Sequence, residues 1–230
     1  MLGALLSLEG RRRRATQRAP EGPLRDFLSV PFPDRNSDCR TVPFVAVDLE
    51  TTGLDARRDE IVAVGLVQFT AAQIDLGSAR HWLVTPTGAI PEASAVIHCI
   101  TDDQAAVGAP LEEVLAEVLP LLAGRVMVAH HARLELQFLK AACARVYGEK
   151  FLIPTVDTQA LAQRRLERWN TAYKAKDLRL AALRNRYNLP RYRAHNALSD
   201  ALAAAELFLA QLAESESGTS LPLKRFLLQQ

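Results

Sequence analysis

Cysteine is scarce in this chain. Three thiols, Cys39, Cys99 and Cys143, are spread through 230 residues, with no C-x-x-C pair and no zinc-ligand spacing. That excludes a disulfide framework and a thiolate metal site. It points to a reducing, cytoplasmic setting, with each thiol expected to pack as a small buried hydrophobe. No stretch approaches the roughly 18 consecutive apolar residues of a membrane helix. The apolar start, Met1 to Leu8, is followed by the basic run Arg11 to Arg14 instead of preceded by it, the reverse of a secretory leader. Neither secretion nor membrane insertion is expected. Net charge is only +2, so the total charge identifies no partner and its distribution must be read instead. There is no internal repeat and no long low-complexity segment. What remains, 49% hydrophobic and 23% charged residues, is ordinary for one globular domain with an extension.

Residues 1–41 hold four of the twelve prolines, the arginine run and few periodic apolar positions. They read as a basic N-terminal extension, helical near Leu24 to Leu28 and otherwise extended, draped over the domain or mobile. Residues 42–214 carry the main domain. Residues 215–230 form a polar tail whose end, Leu221 to Leu228, has the composition to dock as a last helix. Within the domain, Phe44 to Val47 and Ile61 to Val67 read as buried strands. Ala79 to Thr85 reads as a third, entered through a turn at Asp75-Leu76-Gly77-Ser78, which gives an antiparallel meander. Helical spacing follows at Leu111 to Leu122, a short strand at Val126 to Ala129, and a helix at Ala132 to Tyr147. A strand end at Pro154 to Thr158 leads to a helix from Gln159 to Trp169. The last helix runs from Asn196 to Glu214, with Leu198, Leu202, Ala205, Leu209 and Leu212 on one face. A meander followed by alternating helices and strands predicts an α/β fold, a mixed β-sheet flanked by helices.

Chemistry concentrates in three segments. Asp48 and Glu50 stand at i and i+2 at the end of the first strand, so both side chains point to one face. Two acids there repel unless a cation neutralises them, although a pair of solvated acids at a strand end has the same spelling. The Thr51-Thr52-Gly53-Leu54 turn that follows offers hydroxyls and backbone N–H groups to a sugar or phosphate. Asp200 falls in the first turn of the last helix, with His195 just ahead of it. An imidazole there suits a general base, because it titrates near neutral pH. A surface histidine and a helix-dipole acid would look alike. Glu135 has meaning only beside the others, since a glutamate on an amphipathic helix is usually solvated. Carboxylates without thiolates favour hard cations, two Mg²⁺ or Mn²⁺ ions, which can clamp the attacking and leaving oxygens of a phosphodiester.

These segments resemble the motifs of the DEDDh 3′→5′ exonucleases, the family of the epsilon proofreading subunit of bacterial replicative polymerase. Val47-Asp48-Leu49-Glu50-Thr51-Thr52-Gly53-Leu54 is similar to the first motif. Ala129-His130-His131-Ala132 through Glu135 to Phe138-Leu139 is similar to the second, and His195-Asn196-Ala197-Leu198-Ser199-Asp200-Ala201 to the third. Ile97-His98-Cys99-Ile100-Thr101 resembles a substrate-pocket element. The resemblance covers about residues 42 to 212 and implies an RNase H-like fold. It implies that Asp48, Glu50 and Asp200 bind the metals, that Glu135 fills the fourth acidic position and that His195 is the base. It places Leu54 as a wedge against the terminal base, with Thr51, Thr52, Gly53, His98 and His131 around the terminal nucleotide. The chain departs from the pattern at Glu135, where aspartate is usual, at His131, where asparagine is common, and at Cys99, where glycine is common.

Residues 161–194 hold ten cations and two acids, a net +8 that leaves −6 for the rest. Trp169, Tyr173, Tyr187 and Tyr192 are interleaved with them. Cations for phosphates with aromatic faces for bases make a single-strand binding pattern, led by Arg191, Tyr192 and Arg193 next to His195, although a solvated helix face with some aromatic packing has the same composition. The run Arg11 to Arg14 offers a second phosphate contact, and reads equally well as a disordered basic arm. The sum is a metal-dependent 3′→5′ exonuclease releasing nucleoside monophosphates from single-stranded DNA ends. RNA ends, a non-cutting 3′-end-binding module, or association with a polymerase or repair partner are the alternatives.

Overall fold

The computed structural model describes residues 7–215 and 220–229. Met1 to Leu6, within the apolar start, and residues 216–219, within the polar tail, lie outside the described residues. Strands β1 (Phe44–Thr51), β2 (Ile61–Phe69) and β3 (Ile74–Leu83) form an antiparallel meander, and β4 (Val126–Ala129) and β5 (Thr155–Asp157) add in parallel to β1. The order across the sheet is β3-β2-β1-β4-β5.

The alternation along β1 builds two cores. Val45, Val47 and Leu49 face the side covered by α2 (Pro23–Ser29), α5 (Leu111–Leu122) and α6 (Arg133–Tyr147). Phe44 and Ala46 face the side covered by α9 (Ala197–Glu214), where they meet Ala201, Ala205, Phe208 and Leu212. Phe44 stacks on Phe69 at 5.3 Å and meets Phe208 edge-on at 5.1 Å. Asp48 and Glu50 continue the Phe44–Ala46 face, so the strand that is apolar at one end presents acids to α9 at the other.

The described part of the extension, residues 7–41, is not an extended arm but packs on the domain. Helix α1 (Leu8–Arg18) starts at Ser7, whose hydroxyl accepts from the Gly10 N–H at 3.0 Å. Arg12 is buried, paired with Glu9 at 2.6 Å and donating to the Leu28 carbonyl, which also accepts from the Thr16 hydroxyl at 2.9 Å. Leu24, Phe27 and Leu28 of α2 enter the first core, with Phe27 stacked on Phe151 at 5.3 Å. The tail docks through a 3₁₀ turn at Leu223–Arg225, burying Leu221, Leu223 and Phe226 in the second core.

One turn is misplaced by composition. The chain reverses at Thr70 to Gln73, where the Thr70 N–H donates to the Gln73 carbonyl at 2.9 Å. Asp75 to Ser78 lies inside β3 as an irregularity, with the Ser78 hydroxyl accepting from the Gln68 N–H at 2.8 Å. Among the described residues no helix is long and apolar enough to cross a membrane.

Candidate active site

Asp48 and Glu50 reach their counterpart because a glycine stands across the ladder. Asp48 pairs with Gly65 on β2. A Cβ on Gly65 would lie 2.1 Å from the Ala197 carbonyl carbon, so only glycine lets the start of α9 sit on the sheet beside Asp48. Asn196 caps that helix, accepting from the Ser199 N–H at 3.0 Å. Asp200 follows in the first turn. Oxygens of Asp48, Glu50 and Asp200 all lie within 4.8 Å of one another. Asp200 also accepts from the His195 backbone N–H at 2.7 Å, and His195 sits at φ 63°. The carboxylate thus pins the residue carrying the imidazole.

Glu135 enters from the first turn of α6, where it is 3% exposed. The turn before α6 is tied by Asp157, a residue the sequence reading passed over. Its Oδ1 accepts from the backbone N–H groups of His131, Gln159 and Ala160 at 3.1, 2.9 and 3.2 Å. Asp157 therefore caps α7 (Thr158–Arg168) and fixes the His131 turn, at φ 67°, that aims Glu135. The signal for it was a lone acid ending a short strand, which a sequence offers in many places.

Burial, and then the charges of Glu135, Asp200 and Glu50, push Asp48 well above the ordinary carboxylate range. Burial, and then Asp200, raise Glu50 to about 7. Burial also raises Glu135, against its own backbone N–H, with Asp157 and Glu50 adding to the rise. Asp200 is raised by burial, opposed by the His195 N–H. One oxygen each of Glu50 and Glu135 is buried without a hydrogen-bond partner. Crowded hard-oxygen donors with unmet acceptors fit divalent cations of the Mg²⁺ or Mn²⁺ kind.

The hydroxyls of the turn after Glu50 are committed to its shape. Thr51 donates to the Gly53 carbonyl at 2.6 Å, and Thr52 accepts from the Glu60 N–H at 2.9 Å. A Cβ on Gly53 would meet the Asp59 carboxylate at 2.4 Å. Leu54 stands 77% exposed at the tip. Helix α3 (Glu92–His98) is tied to this turn by the Ser94 hydroxyl, which donates to the Thr52 carbonyl at 2.7 Å. It presents Val96 and Ile97 to solvent and buries His98. Burial, then the neighbouring His195, lowers the His98 pKa. Its Nδ1 accepts from the Ile100 N–H at 3.1 Å, and its Nε2 has no partner. Cys99 is exposed, not buried as expected, because it takes the left-handed position that ends α3.

A cleft of about 760 Å³ opens beside the carboxylates, lined in part by His130, Gln159, Arg191, Tyr192, His195 and Asp200. His131 is exposed, its Nδ1 2.6 Å from the Gln159 Oε1. His130, part of the second motif but given no role of its own there, is held neutral by burial, with its pKa near 4, and keeps an unpartnered Nε2. Arg191 and Arg193 are exposed, and Arg193 approaches the Cys99 Sγ at 3.9 Å. The rest of the basic segment is less free than its composition promised. Arg184 is buried and paired with Glu206 at 2.6 Å. Tyr192 donates to Glu206 at 2.8 Å, Tyr173 to Glu167 at 3.0 Å and Tyr187 to Glu214. Arg165 pairs with Glu214 and lies 4.1 Å over the Trp169 ring.

The sequence model of the exonuclease family, RNase T, matches residues 45–208. The chain belongs to the DEDDh 3′→5′ exonuclease family. The DNA polymerase III epsilon subunit of Treponema pallidum is 32% identical over 172 residues, covering 75% of this chain and 77% of that protein. The PolC-type DNA polymerase III of Thermotoga petrophila is 34% identical over 174 residues, which are 76% of this chain and 12% of that polymerase. The chain thus spans about an eighth of the PolC-type relatives. In structure, this exonuclease resembles the nuclease domain of 3′hExo, a DEDDh family member solved with rAMP, at a TM-score of 0.65 and 14% identity over 80% of this chain and all of that one. It also resembles exonuclease X, solved with 5′-overhanging duplex DNA, at a TM-score of 0.59 and 23% identity over 79% and 98% of the two chains. The fold of this epsilon-like exonuclease is the RNase H-like mixed sheet of those neighbours.

Proposed function

We propose that this chain is a metal-dependent 3′→5′ exonuclease releasing nucleoside monophosphates from the 3′ ends of single-stranded DNA. The observation that carries the reading is the meeting of Asp48, Glu50 and Asp200 around one point, with buried oxygens left unmet. Two divalent cations, Mg²⁺ or Mn²⁺, held by these three acids with Glu135 beside them, would polarise the scissile phosphate and offset charge on the leaving 3′ oxygen. His195 takes the proton from the attacking water. Its backbone bond to Asp200 couples the position of the base to that of the acid cluster. Leu54 packs against the terminal base, and His98 closes the base pocket behind it. Thr51, Thr52 and Gly53 act by holding the turn, whose remaining backbone faces the terminal nucleotide. His131 borders the same nucleotide. Arg191, Tyr192 and Arg193 guide the strand out along the cleft mouth. Relatives named as parts of DNA polymerase III support DNA as the substrate class. Those names and the three free thiols support a cytoplasmic setting.

The test is time-resolved degradation of 5′-labelled single-stranded DNA and matched RNA with Mg²⁺, Mn²⁺ or EDTA. A ladder shortening from the 3′ end, faster on DNA and absent with EDTA or in Asp48→Ala, is expected. Full activity in a folded Asp48→Ala protein would sink the assignment. Replacing His195 by Ala is expected to cost about 10²- to 10⁴-fold in turnover, the range of a lost general base.

A further inference from the structure

Among the cations that the proposed chemistry does not use is a group at the far end of α6. This helix has a single acid, Glu135, turned into the carboxylate cluster, while Arg133, Lys140 and Arg145 are its cations. Arg145 is paired with Glu60 at 3.0 Å. Arg133, Gln137, Lys140 and Ala144 are spaced four, three and four apart, so they form one outward face. That face leads from the site to a hollow of about 330 Å³ lined by Arg11, Arg14, Ala15 and Arg18 of α1 with Lys150 and Leu152. Lys140 borders it. Burial and the nearby Arg11 guanidinium lower the Lys140 ammonium below its ordinary pKa. The carboxylates at hand are already engaged, Glu149 by Arg18 at 3.0 Å and Glu9 by Arg12 and Arg13. Among the described residues Arg11, Lys140 and Lys150 make no ion pair. The crowding is built in, because the buried Arg12 and its bond to the Leu28 carbonyl hold α1 in place.

We propose that this ridge, Arg133 and Lys140 leading to Arg11 and Lys150, binds the phosphate backbone of the substrate strand upstream of the 3′ end being cut. The inference rests on the exonuclease reading. Like charges held together without counterions favour a polyanion, whose binding releases condensed cations. The hollow's only apolar members are Ala15 and Leu152. It lacks the aromatic or large aliphatic anchors on which protein interfaces depend, which argues against an acidic protein as its occupant. From Arg133 to the end of α6 is about 20 Å at the helical rise, the span of about six stacked nucleotides.

The test compares the wild type with an Arg11→Gln/Lys140→Gln/Lys150→Gln variant on 5′-labelled single-stranded DNA of 3, 12 and 30 nucleotides at several salt concentrations. Equal cleavage of the trinucleotide is expected. KM for the 30-mer should rise about tenfold, with a salt dependence shallower by about two in logarithmic slope for three lost phosphate contacts. An unchanged KM at every length and salt would overturn the ridge, and so would an equal loss on the trinucleotide. If the wild type cuts nothing, the exonuclease reading has failed. Anisotropy of a labelled 30-mer in EDTA then tests the ridge alone, with tenfold weaker binding supporting it and unchanged binding refuting it. Should the triple variant not fold, Lys150→Glu, at an exposed position beyond α6, replaces it in both assays. A KM or Kd raised about threefold on the 30-mer is then expected, and no change overturns the proposal.

Discussion

Two kinds of buried charge lie close together in this molecule. Arg184 is 4% exposed and has every contact it needs. It donates to the Ala203 and Pro190 carbonyls at 2.7 Å each, pairs with Glu206 at 2.6 Å, and stacks on Tyr192 at 4.7 Å. Glu50 and Glu135 are buried to a similar degree, yet each keeps an oxygen with no partner and faces other acids. A buried charge is tolerated when paired and hydrogen-bonded, and is costly otherwise. The arginine serves the fold. It fastens the loop before His195 to α9. The glutamates cost the fold stability, a cost that the cations of the proposed reaction would offset, and such a cost marks a candidate functional site.

Four experiments would break or sharpen that contrast. The largest effect is expected from Asp48→Asn, which should cut turnover about 10³-fold, as lost transition-state electrostatics do, while the metal-free Tm holds or rises because a repelling acid is gone. A fall in both, by rate assay and thermal melt, would make Asp48 structural. Next, Arg184→Ala should cost about 3 kcal/mol in a urea melt, since Glu206 loses its cation and keeps only the Tyr192 hydroxyl, and the Ala203 and Pro190 carbonyls lose a buried donor. An unchanged midpoint would put Arg184 in the class of surface cations.

The third concerns pH and metal together. Glu50 has a folded-state pKa of about 7 against an ordinary 4.5, so the folded protein holds the extra proton between those values. Stability in EDTA should therefore be fullest near pH 4.5 and decline as pH rises through about 7. Mg²⁺ or Mn²⁺, binding the ionised native cluster, should reverse that trend. Melting curves at pH 5 and 8 with and without metal read this directly, and parallel curves would mean the acids do not face one another in solution. The smallest effect belongs to Glu135→Asp. A carboxylate remains and one methylene is lost, so turnover should stay within about tenfold of wild type. A loss equal to that of Asp48→Asn would show that the longer arm is required.

How much of this was legible in the sequence depended on whether a local rule met a tertiary one. The first strand was readable because an apolar run ends abruptly in Asp48 and Glu50, and α5, β4 and α9 because their spacing is clean. Helix α1 was not. Its eleven residues include five arginines and few apolar residues, and what holds it, the Ser7 cap and Arg12 on the Leu28 carbonyl, lies outside any periodicity. The Asp75 to Ser78 segment has turn composition and does break regularity, but it does so inside a strand, with the Ser78 hydroxyl filling a gap in the ladder. Asp157 was invisible because its work is to accept three N–H groups from two segments that only folding brings together. Gly65 carried its meaning only once α9 was seen resting on it.

The strand β5 has three residues, and its outer edge is covered by the segment after α9. The Leu228 N–H donates to the Thr155 carbonyl at 2.7 Å, Val156 bridges Leu227, and Asp38 bridges Pro222, 184 residues downstream. This fixes an order in time. That edge of the sheet, and the side of the core that receives Leu221, Leu223 and Phe226, cannot close until residues 221–228 have been made and have found their way back. Contacts so distant along the chain form late. In the interval the nascent protein shows an open strand and an uncovered apolar face, the period in which it is most exposed to pairing with a stranger.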